Sequence, residues 1–224
     1  MVSIVIPVYN EESILLRGSD YFKKLASSGE LIFVDGGSSD QTVEVASKYS
    51  QVISDKKNRA SQMNAGAKMA SHHIILFLHA DAQLSQEALS QMKAIMEQDG
   101  YVGGCFHQVY DAPGILFKWI ALTGNMRAKL LNVFYGDQGI FVRKDIFAKL
   151  GGFPLVPIGE DVLLSNKLKH LGKTRVLPEY ILCCARRWKK QGILKTFLFN
   201  MRITLGLLLR LNQDKIGGAY KDIR

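Results

Sequence analysis

Acidic residues lie just beyond several apolar runs of this sequence, near the points where strands would end. Glu11, Asp35 and Asp81 each come within three residues of the end of such a run. Carboxylates in these positions can hold Mg²⁺ or Mn²⁺ while the ion bridges a diphosphate, or they can accept hydrogen bonds from a ribose. A single acid of this kind also suits a turn or a helix cap. Because the acids follow separate runs, we favour a binding site, with Asp81 as a metal ligand.

A further acidic pair, Glu160 and Asp161, follows the Gly- and Pro-containing segment 151–159 and opens a predicted helix. Either acid would suit the start of a helix, where the backbone dipole favours negative charge. The functional alternative is a general base that takes a proton from an acceptor hydroxyl. Arg59 and Arg187, the latter in the string ARRW, suit contacts to phosphate, and a solvated basic face is the alternative for both.

The histidines and cysteines give no comparable signal. The spacing of His72, His73, His107 and His170 does not suit a metal site, and the three cysteines include no CxxC pair. Cys105 is interpreted as a core residue. The N-terminus has no basic leader of the kind that opens a signal peptide. We therefore expect an intracellular protein without a zinc site or a disulfide framework.

The acids require a scaffold that brings several strand ends together, and the first hundred residues have the pattern of one. Four short apolar runs alternate there with helical segments: 2–8, 31–34, 52–53 and 74–78. Parallel strands are buried on both faces, which accounts for continuous apolar runs. The pattern predicts an α/β fold with a Rossmann-like, mostly parallel central sheet and helices on both faces. In such sheets ligands bind beyond the carboxyl ends of the strands, where these acids lie.

The second half of the sequence is expected to complete one domain rather than to form another. Strand and helix patterns continue through it: strands at 102–110, 139–143 and 174–177, and helices at 116–133 and 160–170. No linker rich in Pro, Gly or Ser divides the 224 residues. We predict a single domain with three parts: a nucleotide-binding half over 1–100, an acceptor half over 101–190, and an amphipathic C-terminal helix and tail over 191–224.

The formal net charge of +9 suits nucleic acid, an anionic membrane or a phosphorylated small molecule as a partner. No zinc-finger, basic-zipper or RRM signature occurs, so nucleic acid is not expected. The apolar stretch 193–211 carries Lys195, Arg202 and Arg210, too many charges for a membrane-spanning helix. We interpret it as an amphipathic helix packed on the domain. The alternative is peripheral contact of this C-terminal helix with an anionic bilayer, with its basic side chains at the head groups.

An ordered series of motifs gives the sequence a resemblance to the family-2 glycosyltransferases, which have the GT-A fold. The strings VSIVIPVYNEE, DGGSSDQT and RASQMNAGA resemble the nucleotide-binding half of that family, and HAD at 79–81 stands at the place of its DxD motif. The strings YGDQGIF and GGFP and the pair Glu160-Asp161 resemble its acceptor half. The match runs from Val2 to Trp188. HAD, YGDQGIF and ARRW together resemble a bacterial subgroup named for arsenosugar biosynthesis.

The resemblance implies a hexosyltransferase-type enzyme that moves one sugar from a nucleoside diphosphate sugar, by default a UDP-sugar, to an acceptor hydroxyl with inversion. Asp161 would be the catalytic base with Glu160 beside it, and Asp81 would hold Mn²⁺ or Mg²⁺ on the diphosphate. The donor would be bound by residues of both halves: Pro7, Tyr9, Glu11, Asp35, Arg59, His79, Asp81 and Arg187. The acceptor would be a small molecule or a lipid-linked one, and the protein would be cytoplasmic or at the inner face of the membrane.

Two departures from the family pattern affect these expectations. His79 replaces the first Asp of DxD, and although a neutral imidazole can ligate a metal, Mg²⁺ and Mn²⁺ prefer carboxylate oxygen. Arg187-Trp188 is similar to the end of the QxxRW motif of processive synthases, but Cys184 stands in place of Gln, so transfer of a single sugar is favoured.

Two other classes of protein remain as alternatives. One is a nucleotidyltransferase, and the other is a non-catalytic nucleotide- or membrane-binding protein of the same fold. A nucleotidyltransferase normally carries a Gly-rich, basic phosphate loop after the first strand. This sequence has Asn10-Glu11-Glu12 at that place, which argues against the first alternative.

Overall fold

Seven buried residues at the N-terminus form the central strand β1 (Val2–Val8), and the sheet extends outwards from it. The computed structural model describes residues 1–209. The other strands are β2 (Glu30–Asp35), β3 (Gln51–Ser54), β4 (Ile74–Phe77), β5 (Gln83–Leu84), β6 (Tyr101–Tyr110), β7 (Ile140–Arg143) and β8 (Lys173–Cys183). Their order across the sheet is β3-β2-β1-β4-β7-β6-β8-β5. The first four strands are mutually parallel, β7 is antiparallel to both of its neighbours, and β6 and β8 are parallel.

Helices lie between the strands and after the last of them. Those of residues 1–209 are α1 (Glu12–Arg17), α2 (Ser19–Ser28), α3 (Thr42–Ser47), α4 (Arg59–Met69), α5 (Gln86–Met96), α6 (Ile115–Leu131), α7 (Lys144–Lys149), α8 (Glu160–Leu168), α9 (Arg186–Gln191) and α10 (Ile193–Leu208). A 3₁₀ turn, Gly136–Gln138, precedes β7.

The two faces of the sheet are covered by separate apolar clusters. On one face α2 and α5 pack on side chains such as Ile4 and Leu76, and on the other α4 and α8 pack on side chains such as Val5 and Ile75. Alternate residues of β1 and β4 thus point to opposite cores. This explains why both strands consist of apolar residues, apart from Ser3 in β1. This arrangement confirms the predicted α/β fold, with a mostly parallel sheet and helices on both faces.

Helix α4 holds the carboxyl ends of β1 and β2 together. Its Gln62 side chain is buried and donates to the backbone oxygens of Val8 (2.9 Å) and Val34 (2.7 Å). One turn later the helix approaches the sheet so closely that a Cβ on Gly66 would overlap the side chain of Val5. The residues that follow β1 and β2 are therefore held on a rigid edge.

The structure differs from the sequence prediction in several elements. The helical segment between the first two strands is divided at Gly18, whose amide donates to the backbone oxygen of Ile14 and ends α1 before α2 begins. The last strand, expected at 174–177, continues to Cys183 because it pairs with the long strand β6. The short elements β5, α7 and α9 have too few residues to show a periodicity and were not predicted.

The C-terminal helix α10 packs on the domain through one face, which includes Ile203 and Leu207. In residues 1–209 no helix combines the length and the apolar character needed to cross a membrane. Arg210 and the rest of the predicted tail, 210–224, lie outside the described residues. One sheet runs through both predicted halves of the chain, and their division into donor and acceptor halves stays a prediction.

Candidate active site

A cavity of about 180 Å³ opens at the carboxyl edge of β1 and β4, where the sequence placed the site. Its wall takes residues from eight parts of the chain: the ends of β1, β4 and β8, the start of α4, the 3₁₀ turn, the start of α8, α9, and one face of α10. Eight of the ten predicted site residues line it: Pro7, Glu11, Arg59, His79, Asp81, Glu160, Asp161 and Arg187.

Two carboxylates from different strand ends share one arginine on the donor side of this cavity. Arg186 Nη2 lies 3.5 Å from Asp81 Oδ2 and 3.6 Å from Glu11 Oε2. Glu11 is almost fully buried, whereas about a quarter of the Asp81 side chain is exposed to the cavity. The guanidinium therefore supplies positive charge to both of these acids.

Gly136 brings the histidine of HAD and the acid of α8 together. A Cβ built on Gly136 would lie 3.0 Å from His79 Nε2 and 3.5 Å from Asp161 Oδ2. The backbone amide of Gly136 donates to Asp161 Oδ2 at 2.6 Å, and the amide of Val162 donates to Oδ1 at 2.7 Å. These two bonds fix the carboxylate plane, so Asp161 enters the cavity as an oriented hydrogen-bond acceptor.

Glu160 is more deeply placed than Asp161 and has a different electrostatic environment. Burial, followed by repulsion from the Asp161 carboxylate, raises the pKa of Glu160 to about 7, and Arg59 opposes this rise. Arg59 stands at the first position of α4, after Asn58, whose side chain caps the helix through Ser61. Arg59 thus begins at the donor edge of the cavity, and its charge acts on the acidic pair.

Asp137 is a fifth acid of the cavity wall, and no role was predicted for it from the sequence. Its Oδ1 is shielded from solvent and accepts no hydrogen bond within residues 1–209, while Oδ2 accepts one from the Tyr110 hydroxyl at 3.4 Å. Burial raises the pKa of Asp137, and the nearby Arg127 opposes the rise. The string YGDQGIF contained Asp137, but a string cannot show which of its members reach a cavity.

Two predicted donor residues, Tyr9 and Asp35, do not line this cavity. The Asp35 carboxylate accepts hydrogen bonds from the amides of Gly37 (2.9 Å) and Ser38, so it closes the turn after β2. Tyr9 lies under Lys57 Nζ, 3.8 Å from the ring centroid. Both residues stay at the same edge of the sheet, and their predicted contact with a nucleoside stays a prediction.

The ARRW string and α10 form the wall opposite the strand ends. Arg187, Trp188 and Cys184 line the cavity together with Arg186, which the sequence analysis named only within the string. Helix α10 adds four residues at helical spacing: Thr196, Asn200, Ile203 and Thr204. Two threonines and an asparagine on one face of a mostly apolar helix are a pattern that could have identified this wall from the sequence. Cys105, by contrast, is fully buried in the core, as predicted.

The oxygen donors of this cavity suit a divalent cation that is shared with a substrate. No cluster of three or more potential ligands occurs among residues 1–209, so these residues do not form a complete metal cage. Mg²⁺ typically binds through one or two carboxylates and completes its shell with phosphate and water. Asp81 and the neighbouring Glu11 provide such carboxylates beside an open cavity, which fits a metal carried on a diphosphate.

The geometry agrees with the solved structures that resemble this one. A mannosyltransferase from Pyrobaculum calidifontis, solved with GDP-Man and Mn²⁺, superposes with a TM-score of 0.68 and 17% identity, covering 99% of this chain and 65% of that one. TarS of S. aureus, solved with UDP-GlcNAc, gives a TM-score of 0.63 and 20% identity over 82% of this chain and 58% of that one. At these identities the likeness shows the GT-A fold.

Sequence comparison identifies similar proteins and the family. Glycosyltransferase AglE of Haloferax volcanii is 27% identical over 203 residues, 82% of this chain and 66% of that protein. An undecaprenyl-phosphate 4-deoxy-4-formamido-L-arabinose transferase of Yersinia enterocolitica is 35% identical over 113 residues, 45% of this chain and 34% of that protein. The chain thus spans between a third and two thirds of the length of these relatives. The family described as glycosyl transferase family 2 matches residues 3–151, and this chain belongs to that family.

Proposed function

We propose that this protein transfers one sugar from a nucleoside diphosphate sugar to an acceptor hydroxyl with inversion of the anomeric carbon. The observation that carries the proposal is that one cavity unites Asp81, after the end of β4, with Asp161, an oriented acid at the start of α8. The family membership and the nucleotide sugars named in two similar structures support it. A UDP-sugar is our default donor, and GDP, named in one of those structures, is the second candidate.

On the donor side, Asp81, with Glu11 near it, would hold Mn²⁺ or Mg²⁺. When bound, the ion would neutralise charge on the diphosphate leaving group. Arg59 and Arg187 line the same cavity and would pair with phosphate oxygens by charge-assisted hydrogen bonds. Pro7, Tyr9, Asp35 and His79 complete the proposed donor set.

On the acceptor side, Asp161 would act as the base. Its oriented carboxylate accepts the proton of the acceptor hydroxyl as the oxygen bonds to the anomeric carbon. The bond from that carbon to the diphosphate breaks, and its electron pair leaves with the nucleoside diphosphate. Because attack and departure occur on opposite faces, the configuration inverts. Glu160, which is buried behind Asp161, would support the site by holding Arg59.

The acceptor would be a small molecule or a lipid-linked one, and the reaction would take place in the cytoplasm or at the inner face of the membrane. The relative from Yersinia enterocolitica is named for an undecaprenyl-phosphate substrate, which supports the second class of acceptor. The resemblance of HAD, YGDQGIF and ARRW to the bacterial arsenosugar subgroup supports the first.

The test of this proposal begins with thermal unfolding in UDP, GDP and dTDP, each with Mn²⁺, Mg²⁺ or EDTA. A nucleotide at about one hundred times its dissociation constant should stabilise the protein by roughly 2.7 kcal/mol. We expect a shift that requires both a nucleotide and a metal, and that is lost in Asp81→Ala. Asp161→Asn should keep the shift and lose transfer. Retained transfer in Asp161→Asn would refute the assigned base, and no shift with any nucleotide would favour a non-catalytic protein.

The remaining alternative, a nucleotidyltransferase, makes a different product. It would attach a nucleotide to its substrate and release pyrophosphate, whereas the proposed enzyme releases a nucleoside diphosphate. Glu11 lines the cavity where a basic phosphate loop would be expected, which disfavours this alternative. Measuring which of the two products is released separates the classes.

A further inference from the structure

Helix α6 exposes a continuous apolar stripe on the side that faces away from the domain. The stripe has the spacing i, i+4, i+7, i+11, i+15: Ile115, Trp119, Leu122, Met126 and Leu130. At about 100° per residue these positions fall within roughly 80° of arc on a helix. The opposite face is buried and contains Phe117, Ile120 and Ala128. The helix is therefore apolar on both faces, which is unusual at a protein–water boundary.

Helix α10 repeats this arrangement with the same spacing. Its outer stripe consists of Leu194, Leu198, Met201 and Leu205 and continues to Leu209 at the helix end. Each of these side chains is between 53% and 69% exposed. The other face of α10 packs on the domain and forms the cavity wall described above. One helix thus separates the cavity from a solvent-exposed apolar surface.

An aromatic contact joins the two helices that carry the stripes. The rings of Trp119 on α6 and Phe197 on α10 lie 4.6 Å apart between centroids. We call the ten stripe residues of α6 and α10 the apolar platform. Of the eighteen large hydrophobic side chains exposed in residues 1–209, twelve lie on α6, α10 and the end of α10. Such concentration of exposed apolar area marks a docking surface rather than ordinary scatter.

The helices of the platform and the neighbouring helix α9 carry charge of one sign only. Helices α6, α9 and α10 carry nine basic residues: Lys118, Arg127, Lys129, Arg186, Arg187, Lys189, Lys190, Lys195 and Arg202. They carry no acidic residue. Since the whole sequence has 29 basic and 20 acidic residues, the remainder of the chain is formally neutral, and the net charge of +9 belongs to these three helices.

We propose that the apolar platform docks on an anionic lipid bilayer. An apolar stripe flanked by basic side chains is the arrangement of helices that lie in the membrane interface, and tryptophan favours that depth. A second copy of the chain would oppose these basic residues with an identical set, and nucleic acid would meet ten apolar side chains. The sequence suggested such contact only for the C-terminal helix; the structure adds α6. The inference concerns binding and extends beyond the proposed transfer reaction.

The orientation that docking imposes has a consequence for the cavity. With the outer stripe of α10 in the interface, its inner face, with Thr196 and Asn200, stands one helix diameter, about 10 Å, from the lipid. An acceptor anchored in the bilayer would need to extend about this distance to reach the cavity wall that α10 forms.

Co-sedimentation with vesicles tests the docking directly. The probes are phosphatidylglycerol–phosphatidylethanolamine vesicles and, for comparison, pure phosphatidylcholine vesicles, at low and high salt. We expect preferential binding to the anionic vesicles that weakens with salt. The double variants Leu122→Gln/Met126→Gln and Leu198→Gln/Leu205→Gln should each reduce the vesicle partition constant at least tenfold. The matched control Leu16→Gln/Met69→Gln, equally exposed on α1 and α4, should stay within twofold of the unchanged protein.

The controls separate this inference from the proposed function. Each variant is also tested for the nucleotide- and metal-dependent thermal shift, which should persist because no stripe residue lines the cavity. The inference is overturned if the unchanged protein does not bind the vesicles, or if both stripe variants bind them as strongly as the unchanged protein does. Concentration-dependent dimers that the stripe variants abolish would assign the platform to a second copy instead. Vesicle binding without any nucleotide shift would uphold the docking and refute the proposed transfer.

Discussion

Arg186 occupies the position where a metal ion's positive charge is expected, and this leads to a prediction about metal affinity. Its guanidinium lies within 3.6 Å of both Glu11 and Asp81. A divalent cation on Asp81 must therefore displace a charge that already pairs with the carboxylate. We predict that Arg186→Gln binds Mn²⁺ more tightly than the unchanged protein when no nucleotide is present.

The magnitude follows from the geometry of the two ion pairs. Opposite charges 3.5 Å apart attract with about 5 kcal/mol at an effective dielectric constant of about 20. A third of the Arg186 side chain is exposed, so solvent screening and desolvation reduce the net value to about 1–2 kcal/mol. Removing this competition should tighten Mn²⁺ binding about tenfold, since 1.4 kcal/mol corresponds to a factor of ten.

The same substitution should destabilise the protein in the absence of ligands. Glu11 and Asp81 would then lack their shared counter-charge, and a loss of about 1–2 kcal/mol corresponds to a melting temperature lower by about 2–8 °C in a domain of this size. Adding Mn²⁺ should recover much of the difference. Titration calorimetry with Mn²⁺ alone and thermal unfolding in EDTA measure the two effects.

A control on the same helix makes the result specific. Lys189→Gln removes one positive charge from α9 at an exposed position outside the cavity, so it should change neither the Mn²⁺ affinity nor the melting temperature appreciably. If Arg186→Gln binds Mn²⁺ no better than Lys189→Gln does, then Arg186 does not compete with the metal and the reasoning is wrong.

Three further substitutions probe the site and the scaffold. Gly136→Ala places a methyl group 3.0 Å from the His79 imidazole; transfer should fall at least tenfold while nucleotide affinity stays within threefold, and equal losses of both would contradict the assigned geometry. Burial raises the pKa of Glu160 from 4.5 to about 7, so the folded state holds a proton that the unfolded state releases, and stability falls as pH rises through this range. Glu160→Gln should remove up to about 3 kcal/mol of this loss of stability between pH 5 and 8. The prediction is wrong if the free energy of urea unfolding depends on pH in the same way for both proteins. Gly66→Ala should cost about 1–3 kcal/mol by forcing α4 off the sheet, and unchanged urea unfolding would show that the helix can shift freely.

The sequence predicted the sheet well because its signal is local. In β1, β2 and β4 each strand is a continuous apolar run with polar residues directly after it, and both features depend only on neighbours in the chain. The ends of these strands then share one edge by the geometry of parallel pairing. The acids that follow β1 and β4 could accordingly be placed together without the structure.

The rest of the site depends on contacts that no local pattern contains. The pairing of Arg186 with Asp81 depends on how α9 is placed, and α9 packs on the domain through the ring of Trp188 against Tyr110. Gly136 is important because an imidazole and a carboxylate from distant segments of the chain lie beside it. Such pairings become visible only when the second half of the chain closes over the strand ends.

The basic residues lie on two different surfaces, and our two proposals give each surface a different anionic partner. On α9, Arg186 turns inward to the acids of the cavity, where an anionic diphosphate and its metal are proposed to bind. On α6 and α10, Lys118, Lys129 and Arg202 are exposed beside the apolar platform. A surface that binds nucleic acid would have polar residues around its basic side chains, not ten apolar side chains between them. Our two proposals therefore assign the basic residues to a phosphorylated substrate in the cavity and to an anionic lipid surface at the apolar platform, with α10 between the two.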